Sequence, residues 1–336
     1  MDGGMSGGLD QAQGLLDLTV AEVRPLTSHI TAFRLRHPDG RALPGYLAGA
    51  HIKVKVEING KAVWRHYSLI NLDVAAGASE RPAEYLIAVR REDTALGGRG
   101  GSLYMHTQLK AGHTLQVSSP INGFWLDPAH DDVVLIAGGI GVTPIISMAA
   151  ALRVAGKRYA MHYSGRSFDQ LALVQELQSV AADALTLYAD DEACRLDLRK
   201  LLAGCTPSQA LYTCGPKGMI DAVRDIALEL GWHSDHIHYE LFVEAAAEAG
   251  DQAFEVELSQ SGTCLQIPAD KTILDAMIDA GLDPMFDCKR GECGVCSTPV
   301  LAGEIEHRDN CLTESERAAG HVIQICISRQ RQAPGT

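Results

Sequence analysis

The cysteines of the run CKRGECGVC constrain this chain more than any other feature. Cys288, Cys293 and Cys296 have the spacing C-x4-C-x2-C, and Cys326 follows after 29 intervening residues. This is the arrangement of a plant-type [2Fe-2S] loop, in which four thiolates bind two irons. The two glycines of the run let the backbone wind tightly, so that N–H groups reach the sulfurs. Zinc sites usually pair two short cysteine knuckles, whereas Cys326 stands alone in ICISR, so the pattern favours iron and sulfur over zinc or buried structural thiols.

Composition narrows the class of protein. The 336 residues, 46% of them hydrophobic, suffice for two or three domains. Nine cysteines are an odd number, and no apolar leader is recognisable, so we expect a reducing, cytoplasmic compartment rather than a secreted disulfide framework. The formal net charge of −13 argues against nucleic acid as a partner.

One uncharged stretch, 133–152, resembles a membrane span only in its lack of charge. The turn GGIG interrupts it, which favours a buried strand followed by a helix. Thr143 is predicted to be the N-cap of that helix and Pro144 its first residue. We therefore expect no membrane association.

Changes of pattern divide the chain. Residues 1–14 are Gly-rich and polar, and predict a disordered tail. Short alternating runs over 15–126 predict an antiparallel β-barrel. Strands alternate with helical segments over 127–243, which predicts a parallel α/β sheet. The small, acidic residues 244–252 predict a linker, and 253–336 predict an α+β domain with a hairpin, a helix from Asp270 to Gly281 and the cysteine loop.

Two motifs of the barrel segment could bind a phosphorylated ring compound. Alternation in RHYSL puts Arg65 and Tyr67 on one face of a strand, where a guanidinium could hold phosphate and a phenol could flank a flat ring. The run GGRGGS, 97–102, precedes a helical run, and N–H groups at a helix start bind anions. Taken alone, RHYSL is also compatible with an ordinary strand.

Two turns of the α/β segment fit a nucleotide. Gly139 and Gly141, after a buried strand, permit the close approach of a pyrophosphate, although the run is not a full G-x-G-x-x-G. The triplet Cys214-Gly215-Pro216 ends another strand at the carboxyl edge, where ligands bind in such sheets. Cys214 could also be a small buried hydrophobe.

Taken in order, these motifs resemble one family. RHYSL, IAVRRE, GRGGS, PINGF, GGIGVTP, HYSGRS, CGPKGM, HYELF and CKRGECGVC are similar to those of the phthalate dioxygenase reductase family, which includes vanillate demethylase reductases, and the likeness runs from Leu15 to about Arg329. It implies an FMN-binding barrel, an NADH-binding α/β domain and a β-grasp ferredoxin domain. It also implies that electrons pass from NADH through FMN and a [2Fe-2S] cluster to a Rieske-type oxygenase of an aromatic-degrading system.

The same resemblance implies roles for individual residues. The flavin would be held by Arg65, Tyr67 and Ser68, with the backbone of His66 at the ring edge, Ala88 and Val89 lining the ring, and Gly100, Gly101 and Ser102 around its phosphate. Thr143 would face the ring from the nicotinamide side, Cys214 would lie beside the hydride-donating carbon, and Phe242 would close the pocket. Ser68, Thr143 and Cys214 are the expected catalytic residues. The chain departs from the family at Asp287 and Lys289, where Ser and Glu are usual.

Other interpretations remain open at this stage. The partner could be a haem-thiolate monooxygenase, or the chain could be a redox sensor or carrier without turnover. We expect a monomer that meets its partner transiently. For the dinucleotide, Asp190 and Asp191 could repel a 2′-phosphate, whereas Ser164 and Arg166 could bind one; the resemblance favours NADH.

The flavin released by heat should be FMN rather than FAD. In the family that the chain resembles, the phosphate site ends at GRGGS and Arg65, without a platform for adenine. Chromatography of the released flavin against both standards measures this directly. Recovery of mainly FAD would contradict it.

Overall fold

The computed structural model describes residues 14–72, 81–92, 100–242, 248 and 250–331. The chain forms two compact units: one spans Gly14–Phe242, and the described residues after Phe242 form the other. Each unit buries its own group of hydrophobic side chains. Among the described residues, no helix is long and apolar enough to span a bilayer.

The first unit begins with a curled antiparallel sheet. Its strands are β1 (Leu15–Pro25), β2 (Ile30–Arg36), β3 (Ala50–Ile58), β4 (Lys61–Ser68), β5 (Glu84–Arg90), β6 (Thr114–Ser118) and β7 (Ile121–Asn122), with helix α1 (Gly101–Gln108) between β5 and β6. The order is β4-β3-β6-β1-β2-β5, and β7 pairs with β3. Asn59 and Gly60 both have positive φ, the geometry of a two-residue hairpin turn that matches strand twist. The predicted antiparallel flavin-type sheet is confirmed.

A five-stranded parallel sheet follows in the same unit. Its elements are β8 (Asp132–Gly138), α2 (Val142–Val154), β9 (Arg158–Gly165), α3 (Val174–Ala181), β10 (Leu185–Ala189), α4 (Leu198–Ala203), β11 (Ala210–Cys214), α5 (Lys217–Glu229) and β12 (Ile237–Glu240). The order is β10-β9-β8-β11-β12, with every pairing parallel. The chain moves from β8 outward to β10 and then returns to β11 on the other side of β8. The carboxyl ends of β8 and β11 therefore flank the switch point, where such sheets bind ligands.

The start of α2 differs from the prediction. The residues 139–141 form a 3-10 turn that runs directly into the helix, which begins at Val142. Thr143 is thus the second helical residue and not the N-cap, and its Oγ1 donates to the Ile140 carbonyl at 3.0 Å. Pro144 is the third residue, a position whose N–H has no intrahelical acceptor, so proline is tolerated there.

Helix α2 joins the two sheets of the first unit. Its Ser147 is fully buried; the Oγ donates to the Leu69 carbonyl at 3.0 Å and accepts from the Asn71 N–H at 2.9 Å. Apolar residues of the antiparallel sheet, including Ile70 and Ala88, share one buried cluster with Val142 and Ile145 of α2. The end of β4 is therefore tied to the start of α2.

The second unit contains the ferredoxin fold. Its elements are β13 (Phe254–Leu258), β14 (Thr263–Ile267), α6 (Ile273–Asp279), β15 (Ser297–Pro299), β16 (Ile305–Glu306), α7 (Glu314–Ala319), β17 (Val322–Gln324) and β18 (Arg329–Gln330). The predicted hairpin is β13–β14. Helix α6 begins later than Asp270, because Thr272 is its N-cap and accepts from the Asp275 N–H. Ile267, Leu274 and Ile325 lie in the core next to Cys326.

Asp251 belongs to this unit although the sequence predicts a linker over 244–252. Its carboxylate accepts two hydrogen bonds from Arg308, at 2.6 and 3.0 Å, and lies 3.7 Å from Arg329. The Asp251 side chain is 6% exposed. The hydrogen bonds from Arg308 lower the pKa of Asp251 from its ordinary 3.8 to about 2. Residue 251 therefore packs with the second unit, while residues 243–247, 249 and the tail 1–13 lie outside the described residues.

Replacing Asp251 by Asn should destabilise the second unit by about 2–3 kcal/mol at neutral pH, since the poorly exposed guanidinium groups of Arg308 and Arg329 each lose an anionic partner. The folded pKa of about 2 lies below the unfolded 3.8, so the contribution is complete above the unfolded value and is lost as the pH falls through the folded one. Urea unfolding of both proteins at several pH values measures the difference. Asp221→Asn, at an exposed ion pair with Lys217, is the control, with an expected change below about 0.5 kcal/mol. A wild-type advantage that stays constant down to acid pH would contradict the assignment.

Candidate functional site

Arg65 and the start of α1 form a cradle for an anion. A Cβ placed on Gly101 would lie 2.7 Å from both Cγ and Nε of Arg65, so the guanidinium arm lies directly over the first residue of the helix. Gly100 precedes the helix with φ +78°, a conformation that glycine adopts without strain. The Oγ of Ser102 accepts from the Glu92 N–H at 3.0 Å. A guanidinium beside the N–H groups of a first helical turn fits the phosphate of a flavin nucleotide.

The other barrel candidates lie on both sides of β4. Tyr67 packs against the barrel core, whereas the His66 ring stacks on His51, with 5.0 Å between centroids. Ser68 is buried at the end of the strand. Alternation along the strand therefore separates His66 from Arg65 and Tyr67.

Ala88 and Val89 of β5 are both buried, and they face different cores. Ala88 and Cys214 belong to the same buried cluster, and Phe242 packs against that cluster. Val89 belongs to the barrel core. The structure thus brings Ala88, Cys214 and Phe242 into one group and leaves Val89 outside it.

Glycines bring the two turns at the switch point into contact. A Cβ on Gly141 would lie 2.2 Å from the Cys214 carbonyl oxygen, and one on Gly215 would lie 3.0 Å from Gly138 Cα. Gly139 has φ +54°, and a Cβ on Gly138 would meet Pro216 Cδ at 2.8 Å. The backbones of the two turns are therefore in contact at the carboxyl edges, and the Met219 side chain lies against Gly138 and Gly215. Cys214 and Thr143 are both almost completely buried beneath this surface.

The dinucleotide-specificity candidates lie at the adjacent ends of β9 and β10. The Asp191 N–H donates to the Arg166 carbonyl at 3.1 Å, while the Ser164 Oγ donates to the Ala137 carbonyl at 3.4 Å. Asp190 also faces Arg195, at 3.5 Å. Sequence reasoning missed Arg195, since nothing local indicates that this loop residue turns back to the strand end.

His106 is a second residue that the sequence did not single out. Its Nε2 lies 2.8 Å from the Val89 carbonyl oxygen and its Nδ1 lies 3.3 Å from Thr31 Oγ1. Burial lowers the pKa of this imidazole. A neutral ring thus links α1 to β5, which fixes the anion cradle relative to the strand that carries Ala88.

The four cysteines of the predicted cluster converge in the second unit. The Cys288 thiol interacts with those of Cys293 and Cys326, and the Cys296 thiol with that of Cys326. Hydrogen bonds from the Cys293 and Cys326 thiols, joined by backbone N–H groups, lower the pKa of Cys288. One of these backbone donors is Arg290, whose nitrogen lies 3.4 Å from Cys288 Sγ. Soft sulfur ligands with backbone N–H donors suit an iron-sulfur cluster.

The loop that carries three of these cysteines is closely packed. Gly291 has φ +74°, and a Cβ there would lie 2.9 Å from Asp309 Cα. Within the described residues, no group of three His, Cys, Asp or Glu side chains is arranged to hold one metal ion. A two-iron cluster has a different requirement, because its four thiolates are shared between two irons.

Cys311 lies near the cluster cysteines but in a different environment. Burial, reinforced by the charge of Asp309, raises the pKa of Cys311 to about 12. Its thiol faces Asp309 Oδ2 at 3.9 Å, whereas Cys326 contacts Cys288 and Cys296 directly. Its contacts therefore set Cys311 apart from Cys288, Cys293, Cys296 and Cys326.

Three family models match the chain in succession. They are the oxidoreductase FAD-binding domain over residues 17–125, the dimethylamine monooxygenase subunit DmmA-like N-terminal domain over 120–237, and the 2Fe-2S iron-sulfur cluster binding domain over 256–331.

Whole-length relatives are found among oxygenase reductases. A putative toluene-4-sulfonate monooxygenase system reductase subunit of Comamonas testosteroni is 39% identical over 314 residues, 93% of this chain and 95% of the relative. A heme-dependent oxidative N-demethylase beta subunit of Ectopseudomonas mendocina is 37% identical, covering 95% and 97%. The solved structure of phthalate dioxygenase reductase, described as modular for electron transfer from pyridine nucleotides to [2Fe-2S], matches with a TM-score of 0.65 and 35% identity, covering 95% of this chain and 96% of that one.

Cys326→Ser should abolish the visible absorption and the EPR signal of the cluster, while Cys311→Ser should keep both. The reason is that the Cys326 thiol contacts those of two other predicted ligands, whereas the Cys311 thiol faces the Asp309 carboxylate. Iron content per protein, measured with both spectra, tests the pair. Loss of iron in Cys311→Ser with retention in Cys326→Ser would overturn the ligand assignment.

Proposed function

Because the chain belongs to the phthalate dioxygenase reductase family of oxygenase reductase subunits, we propose that it passes electrons from NADH through FMN and a [2Fe-2S] cluster to a Rieske-type aromatic-ring oxygenase or O-demethylase. The observation that carries the proposal is that one chain contains both an anion cradle next to a nucleotide sheet and a four-cysteine loop. Electron transfer from a two-electron donor to one-electron acceptors requires both a flavin site and a one-electron cluster.

The first unit would bind the two nucleotides. Bound FMN would supply the conversion of one hydride into two single electrons, which nicotinamide cannot perform alone. Arg65 and the start of α1 would hold its phosphate, and Ser68, at the end of β4, would lie at its ring. The glycine contact between Gly141 and Cys214 leaves backbone at the switch point, so a nicotinamide could approach closely. Cys214 and Thr143 would set its orientation, on which hydride transfer depends to within about an ångström.

The second unit would carry single electrons outward. Cys288, Cys293, Cys296 and Cys326 would bind the cluster. Backbone N–H groups such as that of Arg290 would stabilise negative charge on sulfur and thereby set the potential.

The partner is inferred from the family. The relatives named above are subunits of multicomponent systems, which implies an oxygenase partner for this chain. We propose that this partner is of the Rieske type, that it docks transiently on a monomeric reductase, and that both act in the cytoplasm. The aromatic substrate never contacts the reductase, so its identity depends on the oxygenase.

A haem-containing partner is the second candidate. It is supported by the relative named as a heme-dependent oxidative N-demethylase beta subunit and by the match of residues 120–237 to a dimethylamine monooxygenase subunit. Turnover assays of the full chain with one purified oxygenase of each kind would decide between the two.

A fragment that ends at Glu248 should bind FMN, bleach with NADH and reduce ferricyanide, because the first unit has its own core. Its reduction of cytochrome c should fall at least about tenfold, a change of only ~1.4 kcal/mol in barrier, because the one-electron outlet is gone. Full-length Cys326→Ser is the matched control and should behave like the fragment. If the fragment supports oxygenase turnover at the rate of the full chain, the order NADH, FMN, cluster is wrong.

A further inference from the structure

Lys289 has an unusual backbone conformation beside the first cluster cysteine. Its φ is +55°, and the other positive φ values between residues 286 and 297, all of which the structure describes, are +74° at Gly291 and +70° at Gly294. A residue with a Cβ is strained in the left-handed region, whereas glycine adopts it freely. At residue 289 the loop therefore needs a compensating interaction.

The Lys289 side chain makes two such interactions. Its Nζ donates to Asp275 Oδ1 at 2.9 Å, and it lies 5.0 Å from the centroid of the Phe286 ring. The side chain is 30% exposed, so neither interaction is fully screened by water. Together they hold the lysine between α6 and the residues that lead into the loop.

Asp275 is itself fixed. It lies in the first turn of α6, where its N–H donates to the Thr272 Oγ1 at 3.0 Å and its Oδ2 accepts from the same hydroxyl at 2.8 Å. The carboxylate that holds Lys289 is thus anchored to a capped helix end. The loop conformation at residue 289 is connected in this way to a rigid element.

The turn at Lys289 has a direct effect on the cysteine before it. A left-handed residue reverses the chain within one peptide, and the next N–H, that of Arg290, points back to Cys288 Sγ at 3.4 Å. The N–H of Glu292 also donates to this sulfur. The direction of the Arg290 N–H relative to Cys288 Sγ depends on the backbone angles of residue 289, so the conformation there governs this hydrogen bond.

We propose that Lys289 is a positioning residue of the iron-sulfur loop: its ammonium, held by Asp275 and Phe286, stabilises the left-handed turn that directs the Arg290 N–H to Cys288 Sγ. The inference rests on the ligand set Cys288, Cys293, Cys296 and Cys326 proposed above. Lys289 acts on the cluster through the backbone: its charge serves to hold the side chain at Asp275 and Phe286.

Two substitutions separate the backbone role from the charge. Lys289→Met and Lys289→Gly both remove the ammonium, but only glycine adopts the turn without strain. Full-length holoprotein of each variant is mixed with excess EDTA, and the bleaching of the cluster is followed by visible absorption. The midpoint potential is measured by EPR-monitored titration. Lys271→Met, which breaks the exposed ion pair of Lys271 with Asp279 in the same unit, is the matched control.

We expect Lys289→Met to lose its cluster about fivefold faster than wild type, the factor that corresponds to ~1 kcal/mol of lost loop stabilisation. The rate of cluster loss from Lys289→Gly should stay within about twofold of wild type. The midpoint potential of Lys289→Met should be lower than that of Lys289→Gly, because the former loses a hydrogen bond to sulfur. Lys271→Met should match wild type in both measurements.

Three results would overturn the inference: Lys289→Met that matches wild type, Lys289→Gly that loses its cluster as fast as Lys289→Met, or Lys289→Gly that purifies without iron. Failure of the ligand assignment is distinguishable, because it would appear as a cluster retained in Cys326→Ser. The rates of cluster loss in the Lys289 variants are instead compared in proteins that keep all four cysteines.

Discussion

The buried contact of α2 with both sheets of the first unit is the constraint on which the flavin and nucleotide candidates depend. Ser147 has no exposure and hydrogen-bonds to Leu69 and Asn71, just after β4. Gly141, the residue just before this helix, touches Cys214 on β11. A single helix thus fixes the distance between the strand that carries Arg65 and the switch point of the parallel sheet.

Backbone conformation carries much of the chemistry in both units. At Gly101 and Gly141 the absence of a side chain lets an arginine and a neighbouring turn come close, and around Cys288 the loop directs N–H groups at sulfur. Glycine supplies this freedom at most of these positions. At Lys289 an ion pair and an aromatic ring hold the side chain, and these contacts support a backbone conformation that glycine would adopt unaided.

Separate cores suit a chain that moves electrons between two kinds of cofactor. The first unit packs its two sheets around a shared buried cluster, and the second packs Cys296 and Cys326 against its own apolar residues. Asp251 is held by Arg308 and Arg329 at the entry to the second unit. This ion-pair network attaches residue 251 to the second unit.

The sequence by itself determined what rests on spacing and periodicity. The C-x4-C-x2-C run, the alternation of β1 to β6, the βα repeats and the hairpin at β13 and β14 were all predictable, because neighbouring residues decide them. Tertiary structure alone decided the rest. It moved the start of α2 to Val142, gave Cys311 an environment unlike that of Cys326, buried Asp251, and paired Lys289 with Asp275. These outcomes depend on contacts between residues far apart in the chain or on how a turn joins a helix, and local pattern contains neither.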